Sequence, residues 1–312
     1  MTYSASPYGL FNCCCCKEGN VFDVDWCSSG TGGAADDRRR AFVVFPKPDF
    51  SLVTSEESAQ PPAIVEQTDA PLVEAQDEVE VEGGATYKGQ WRGDQRHGQG
   101  TYKRLDGQVY TGEFVDNMAC GKGRCISSAG AEYSGEWLND KAHGHGTYRH
   151  ANGGVYEGQW YMDQKHGEGV ETWPEGARYE GQFVLGSKHG KGKYNSQRGI
   201  SYEGQFADDK MQGDGSYKFS DGRVYSGQWK QSQIHGFGKM VWPSGCSYEG
   251  EYQLDTKHGV GTFTWKDGRS YSGQWYEGKQ HGEGRSKSKS GASIPLRWVH
   301  GVQIQVLDSS SP

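Results

Sequence analysis

Residues 133–155 read YSGEWLNDKAHGHGTYRHANGGV, and residues 156–178 read YEGQWYMDQKHGEGVETWPEGAR. The second stretch is the first rewritten in register. A Tyr opens each, a Gly stands two positions on, an aromatic ring two further, and a Gly-x-Gly pair at eleven and thirteen. Outward from this pair the frame runs without insertion or deletion through Tyr87, Tyr110, Tyr133, Tyr156, Tyr179, Tyr202, Tyr225, Tyr248 and Tyr271, every interval being 23. The ring positions are Trp91, Phe114, Trp137, Trp160, Phe183, Phe206, Trp229, Tyr252 and Trp275. Self-similarity at a fixed period of this length marks a repeat architecture.

The spacing inside each unit is a strand spacing. Tyr, Gly and ring at i, i+2 and i+4 share one face of a β-strand, and the intervening Gln, Glu, Lys, Thr and Ser take the other. Each unit therefore reads as two short strands joined by turn-prone residues such as Gly93-Asp94 and Asn139-Asp140. Units connect through Asp106-Gly107, Asn152-Gly153, Asp221-Gly222 and Asp267-Gly268, which are hairpin signals. Pro174-Glu175-Gly176 and Pro243-Ser244-Gly245 fill the same slot. Glycine weakens a strand, so its recurrence needs a reason: a ring lying flat on a sheet requires a neighbour without a side chain. Offset ring pairs would then add roughly 0.5–1.5 kcal/mol each. The expected fold is all-β, an elongated single-layer antiparallel sheet of stacked 23-residue β-hairpin repeats, nine units plus a degenerate C-terminal cap. Eighteen strands spaced by ~4.8 Å would span on the order of 85 Å.

The unit Tyr-x-Gly-x-Trp, followed by His-Gly-x-Gly and Asp-Gly, resembles the MORN (membrane occupation and recognition nexus) repeat over residues 85–291. The resemblance implies stacked hairpins forming a twisted antiparallel sheet with an aromatic-lined groove. It further implies scaffold proteins, often dimeric, linked to membranes or the cytoskeleton, with phosphoinositide binding in some. Enzymes of such a family carry their chemistry in a separate domain, and neither the leader before residue 83 nor the tail after residue 291 has room for one. Two units depart from the pattern, with Cys120 and Gln212 where the others have His.

Composition divides the chain into residues 1–50, a Cys-containing segment; 51–84, an acidic linker; 85–291, the repeats; and 292–312, a capping strand and tail. Only 33% of residues are apolar while Gly numbers 48, a repeat signature rather than that of a multilayer core. The net charge of −7 belongs to the leader: residues 1–82 carry net −10 and residues 83–291 net +3. A near-neutral array lacks the basic stripe of a nucleic-acid binder. The leader, with Glu, Ser, Pro and Ala over 51–82 and Ser-Ser-Gly-Thr-Gly-Gly within 28–37, is expected to be largely disordered. Between them, Arg38 to Phe45 reads as a weakly ordered segment, an added strand or a basic-apolar membrane contact. At the other end Ile294, Leu296, Trp298, Val302, Ile304 and Val306 alternate with period two, as a tenth unit that ends the sheet or as a pairing edge for a second copy.

Contiguous Cys13, Cys14, Cys15 and Cys16 are poorly placed to ligate one zinc ion. They suit reversible S-palmitoylation, where several acyl chains anchor stably and one does not; residue 2 is Thr, which excludes N-myristoylation. The eight Cys form no disulfide framework, which points to a reducing compartment. The row His97, His143, His166, His189, His235, His258 and His281 resembles a metal ladder, but equivalent positions of adjacent hairpins lie ~9–10 Å apart. One ion cannot bridge that gap, so a turn or packing role is expected. Gly-x-Gly recurs inside strands with no following helix and Gly192-Lys193 lacks P-loop spacing, so no phosphate loop is read.

These readings predict a non-enzymatic scaffold or adaptor, without cofactor or metal. It would bind protein partners through groove and structural aromatics: Tyr87, Trp91, Tyr133, Trp137, Tyr156, Trp160, Tyr225, Trp229, Tyr271 and Trp275. The Cys cluster would hold it at a membrane. The alternatives are a module binding anionic phosphoinositides and an axonemal or cytoskeletal subunit. The expected partners are proteins, a membrane or phosphoinositide surface and a second copy of the chain, and not nucleic acid. The expected location is cytoplasmic, peripheral to a membrane or the cytoskeleton, since there is neither a secretory leader nor an apolar run of ~18 residues.

Overall fold

The structure, a computed structural model, describes residues 70–75 and 77–306. They form one open antiparallel sheet of 22 strands, in which each strand from Thr86 onward pairs with the next along the chain. Each repeat supplies a seven-residue strand, such as Thr86–Arg92, and a nine-residue strand, such as Gln95–Lys103. Among the described residues the only helical turn is Glu82–Gly84.

The two kinds of turn follow the expected dipeptides. Within a repeat the strands are joined by two residues at positive φ, 49° at Asn139 and 64° at Asp140, a mirror-image turn whose twist suits paired strands. Between repeats the loop is longer. The Gly107 N–H donates to the Arg104 carbonyl at 3.0 Å and the Arg104 N–H to the Gln108 carbonyl at 2.9 Å, with Gly107 in the left-handed region that such a loop requires.

The unequal strand lengths arise from a bulge that the sequence pattern does not announce. In the first repeat Gly89 faces Gly100 while Trp91 faces Arg96, so His97 to Gln99 stand opposite the single residue Gln90. Gly98, at φ 69°, makes the excursion. Gln90 closes it from both ends: its Oε1 accepts the Gln99 N–H at 2.8 Å, and its carbonyl, skipped by the ladder, accepts the Tyr87 hydroxyl at 2.8 Å. Every repeat has Gln or Glu here, and every opening Tyr makes the same bond to it. The first Gly of Gly-x-Gly thus serves the bulge and the second serves the ring. A Cβ on Gly100 would stand 2.3 Å from the Tyr87 hydroxyl oxygen.

The core is one unbroken zigzag of rings from Trp91 to Trp298. Tyr87 meets Trp91 of its own unit at 5.0 Å and Phe114 of the next at 5.2 Å, and the alternation continues to Tyr271 and Trp298 at 5.9 Å. Every contact in it is edge-to-face rather than the offset stacking anticipated from the sequence. The reason is geometric. Tyr lies flat over glycine, the ring four residues later stands upright beside it, and an edge then meets a face. The opening Tyr of the central repeats is fully buried although no second layer covers the sheet.

Neighbouring repeats are also stapled at their turns. The Asp140 carboxylate accepts the Ala119 N–H at 2.7 Å, and the Asp140 N–H donates to the Ala119 carbonyl at 2.9 Å. Asp163, Asp209 and Asp255 repeat the pair on Ala142, Lys188 and Ile234. At the C-terminal end Ser293–Val299 and Val302–Val306 form the tenth hairpin that ends the sheet. At the other end, two short strands lie inside the 51–84 segment read as an acidic linker. Leu72–Glu74 and Val79–Glu80 both pair along the outer edge of Thr86–Arg92, where Leu72, Val73 and Val79 supply local β-propensity. Residues 1–69, including the Arg38 to Phe45 segment, and the tail 307–312 lie outside the described residues.

Removing one ring opens a cavity flanked by both neighbouring repeats. Trp160→Ala is expected to cost about 3–5 kcal/mol and Gly169→Ala, which pushes on the Tyr156 ring, about 1–3 kcal/mol. Urea denaturation of the purified chain checks both, and an unchanged midpoint for Trp160→Ala would contradict a self-covering ring core.

Candidate functional site

The rings expected to line a groove are the innermost layer. Trp137, Trp160, Trp229 and Trp275 are buried with Tyr133, Tyr156, Tyr225 and Tyr271, and only Trp91, in the first repeat, is half-exposed. Each of the four buried indoles donates Nε1–H to the second Gly carbonyl of the preceding repeat, as Trp160 does to Gly146 at 3.1 Å. These side chains are occupied with structure.

The layer above, drawn from positions 9, 15 and 17 after each opening Tyr, is accessible in part: Ala119, Ala142, Met211, Ile234, Cys125, Tyr217 and Met240 are buried. Half-exposed rings there include Tyr102, Tyr148, Trp173, Tyr194, Phe219, Trp242, Phe263 and Trp265. The half-exposed Tyr148 rests on Trp160 at 6.2 Å and the buried Tyr217 on Trp229 at 5.7 Å. Position 9 supplies cations in four repeats: Arg96, Lys165, Lys188 and Lys257. Arg96 lies 4.8 Å over the Tyr102 ring and helps line a depression with Arg104, Gln108, Cys125 and Asp140. Lys165 and Lys188 both reach Glu171, Lys165 in a close ion pair and Lys188 at 3.9 Å. Lys257 lies among Trp242, Tyr248, Phe263 and Trp275 at 4.5–5.9 Å, and burial lowers its pKa. Position 9 and position 17 carry no constant residue type, so periodicity does not reveal them; their signal is parity, since all share the face of the opening Tyr.

Two members of the His row have a local structural task. His166 Nδ1 accepts the Leu185 N–H at 3.5 Å and His281 Nδ1 the His300 N–H at 3.4 Å, in each case from the next repeat's turn. The two departures are explained by the same bond. Gln212 Oε1 accepts the Gln231 N–H at 3.0 Å and Cys120 Sγ the Asn139 N–H at 3.5 Å. Among the described residues no three or more His, Cys, Asp or Glu side chains are grouped to hold a metal ion, and Cys120, Cys125 and Cys246 are free thiols. Burial pushes the Cys125 thiol up to about 11. The candidate lipidation residues Cys13, Cys14, Cys15 and Cys16 lie outside the described residues. Among the described residues no helix is long and apolar enough to cross a membrane.

The opposite face carries ion pairs across strands, Arg124–Glu132 at 2.7 Å, Lys193–Glu203 at 3.5 Å and Lys239–Glu249 at 3.0 Å. They are solvent-exposed and contribute little to stability, but they pair Arg124, Lys193 and Lys239 of that face with carboxylates.

A model of the MORN repeat matches the chain nine times, at 87–109, 110–132, 133–155, 156–178, 179–199, 202–222, 225–247, 248–268 and 271–293. No curated protein sequence matches it. Among solved structures the chain is similar to the TCP10 domain of Danio rerio CPAP in complex with a STIL peptide, at 12% identity over 73% of this chain and 100% of that one, TM-score 0.27. It is also similar to the SAS-4 TCP domain of Drosophila melanogaster with a proline-rich motif of Ana2, at 9% identity over 64% and 89%, TM-score 0.25. A virginiamycin B lyase from Staphylococcus aureus follows at 13% identity over 73% of each chain, TM-score 0.15. At these scores the likenesses carry no functional argument.

Two measurements follow from the site. Gln at position 166 preserves an acceptor and Leu does not, so His166→Gln is expected to be near neutral and His166→Leu to cost about 1 kcal/mol, with faster amide exchange at Leu185. Burial also raises the phenol pKa of Tyr110, Tyr133, Tyr156, Tyr202 and Tyr225 above 10.0 and that of Tyr217 to about 12. The neutral phenol is the folded form, so this stability is complete below the unfolded-chain value near pH 10 and is lost as pH rises toward the folded values. Unfolding above about pH 10 is expected, with phenolate absorbance and loss of near-ultraviolet dichroism coinciding; phenolate appearing in a folded chain would contradict the burial.

Proposed function

The chain belongs to the MORN repeat family, and from that premise we propose that it is a non-enzymatic scaffold whose ring-bearing face takes protein partners. Repeats of this family are protein- or membrane-binding modules. The observation that carries the reading is the division of labour on that face: an inner layer with an aromatic ring at both positions of every repeat is buried from the second repeat onward, and a partly exposed layer that varies in residue type from repeat to repeat stands above it. Constant residues hold the sheet together; varied ones give a partner something particular to recognise.

The scaffold is held peripherally at a membrane, in the cytoplasm, by acylation of Cys13, Cys14, Cys15 and Cys16. Acyl anchoring suits this array better than phosphoinositide headgroup binding, because cross-strand pairing with Glu occupies basic residues of the face opposite the rings. Self-association is supported by the last strand, where Val302 and Ile304 are 64% and 55% exposed and no described strand pairs with its outer edge.

Membrane fractionation of the full-length protein beside a variant with all four of these Cys changed to Ser tests the anchoring. The wild type is expected to pellet with membrane and the variant to be released. Equal behaviour of the two would overturn acyl anchoring and return the task to the array.

A further inference from the structure

The two ends of the sheet carry opposite charge. Residues 70–82 hold five acidic residues and no Lys or Arg, net −5, and residues 283–306 hold four Lys/Arg and one Glu, net +3. Each end finishes in an edge that no described strand pairs. At the N-terminal end it is the outer side of Leu72–Glu74 and Val79–Glu80, and at the C-terminal end that of Val302–Val306. Leu72, Val73 and Val79 are exposed at the first edge, and Val302, Ile304 and Val306 at the second. Unpaired backbone N–H and C=O groups beside exposed apolar side chains are a template for a further strand.

The charges at both ends stand on the face away from the rings. Glu74 and Glu80 lie opposite Gln90 and Thr86, and Arg285, Lys287 and Arg297 opposite Pro295, Ser293 and Glu283. Arg285 is at position 14, like Arg124, Lys193 and Lys239, each of which has a Glu partner across the strands. The cross-strand neighbours of Arg285 are Ser272 and Pro295 instead. Among the described residues Glu74, Glu80, Arg285, Lys287 and Arg297 make no ion pair. These charges discriminate between ways of joining two copies. Two C-terminal ends would bring base to base, and two N-terminal ends would bring Glu74 and Glu80 beside Glu74 and Glu80, which like charge opposes. An N-terminal end beside a C-terminal end brings acid to base. Arg297 would then lie two strand spacings, ~9–10 Å, from the acidic strands, about the screening length at 0.1 M salt.

We propose that the chain assembles head to tail, the Val302–Val306 edge of one copy meeting the Leu72–Glu74 and Val79–Glu80 edge of a second. This rests on the self-association read above from the last strand and names the surface that this strand meets. Pairing is antiparallel along the whole array, so the strands at both ends run opposite to Thr86–Arg92 and in the same direction as each other. A second copy in the same orientation therefore adds parallel strands, with its ring face beside the ring face of the first and its acids on the side of the bases. The contact is heterologous. Each added copy presents a fresh edge, so association continues into open rows and does not stop at a dimer.

Sedimentation velocity of the full-length chain under reducing conditions, over a concentration series at low and at high salt, tests this. At low salt the sedimentation coefficient is expected to rise with concentration past that of a dimer, and at high salt to fall back. Glu74→Lys with Glu80→Lys in one variant, and Arg285→Glu with Arg297→Glu in another, should each weaken association at least about tenfold. All four side chains are exposed, and an unchanged melting temperature checks that each variant is folded. Mixed together, the two variants should assemble again, because each offers at both ends the charge that the other requires. A plateau at the dimer that Glu74→Lys with Glu80→Lys leaves unchanged would overturn the head-to-tail contact and keep self-association through the last strand. A chain that stays monomeric at every concentration and salt would overturn both, and would leave the partner-binding face untouched.

Discussion

Everything in this sheet depends on a tyrosine lying flat on a glycine. The ring of Tyr87 occupies the space that a Cβ of Gly100 would take, and its hydroxyl ends on the one carbonyl that the bulge removes from the ladder. Burial of the ring and satisfaction of the backbone are therefore the same event. The bulge without the Tyr would leave an unpaired carbonyl, and the Tyr without the bulge would bury an unpaired hydroxyl; either costs about 1–3 kcal/mol. Coupling the two is how a single sheet buries aromatic side chains with no second layer above it.

The coupling also sets the repeat length. The bulge lengthens one strand of each hairpin to nine residues against seven, and each hairpin is completed by contacts from the next. Phe114 covers Tyr87, Asn117 caps Arg96, and the His97 imidazole lies 3.4 Å from Asp116. Contacts of this kind reach one repeat and no further, so an unpaired unit always remains at each end. The ends are treated differently. Two short strands cover the first edge, while the last hairpin lends Trp298 to the ring zigzag and carries exposed Val302, Ile304 and Val306 on its final strand.

Much of this was legible in the sequence. Period two placed Tyr, Gly and ring on one face, the Asn-Asp and Asp-Gly pairs located both turns, and the fixed interval gave the number of hairpins. The bulge was not legible. Gly98 and Gly100 look alike in a pattern of alternating glycines, and only φ distinguishes the one that turns the chain from the one that floors a ring. The Gln or Glu that closes the bulge was likewise visible at all nine positions yet assigned to the solvent side, because parity says where a side chain points and not what it reaches back to. The two strands before the repeats were hidden by acidic composition, which reports average solubility and is indifferent to a local Leu-Val or Val-Glu-Val run. The rings named from the sequence form the inner layer of their face, since hydrophobic size identifies a core more readily than a contact surface.

The repeats supply an internal comparison that a single-copy domain lacks. Nine units share one backbone, so a position that stays constant is held by that backbone, and a position that varies is free of it. The opening Tyr, the Gly facing the partner strand and the Gln or Glu at the bulge belong to the first class. Positions 9 and 17 belong to the second: Arg, Ala, Lys, Met, Ile and Gln all occur at the former, and Arg, Ser, His, Trp and Phe at the latter. Variation here follows neither size nor charge, as a packing constraint would require. It does cluster, with Trp242, Phe263 and Trp265 crowded around repeats seven and eight, and Glu171 with its two lysines around repeats four and five. A sheet that needed these residues only for stability would have no reason to treat equivalent slots so differently, and on the scaffold reading proposed above this asymmetry along an otherwise regular array is what a partner would recognise.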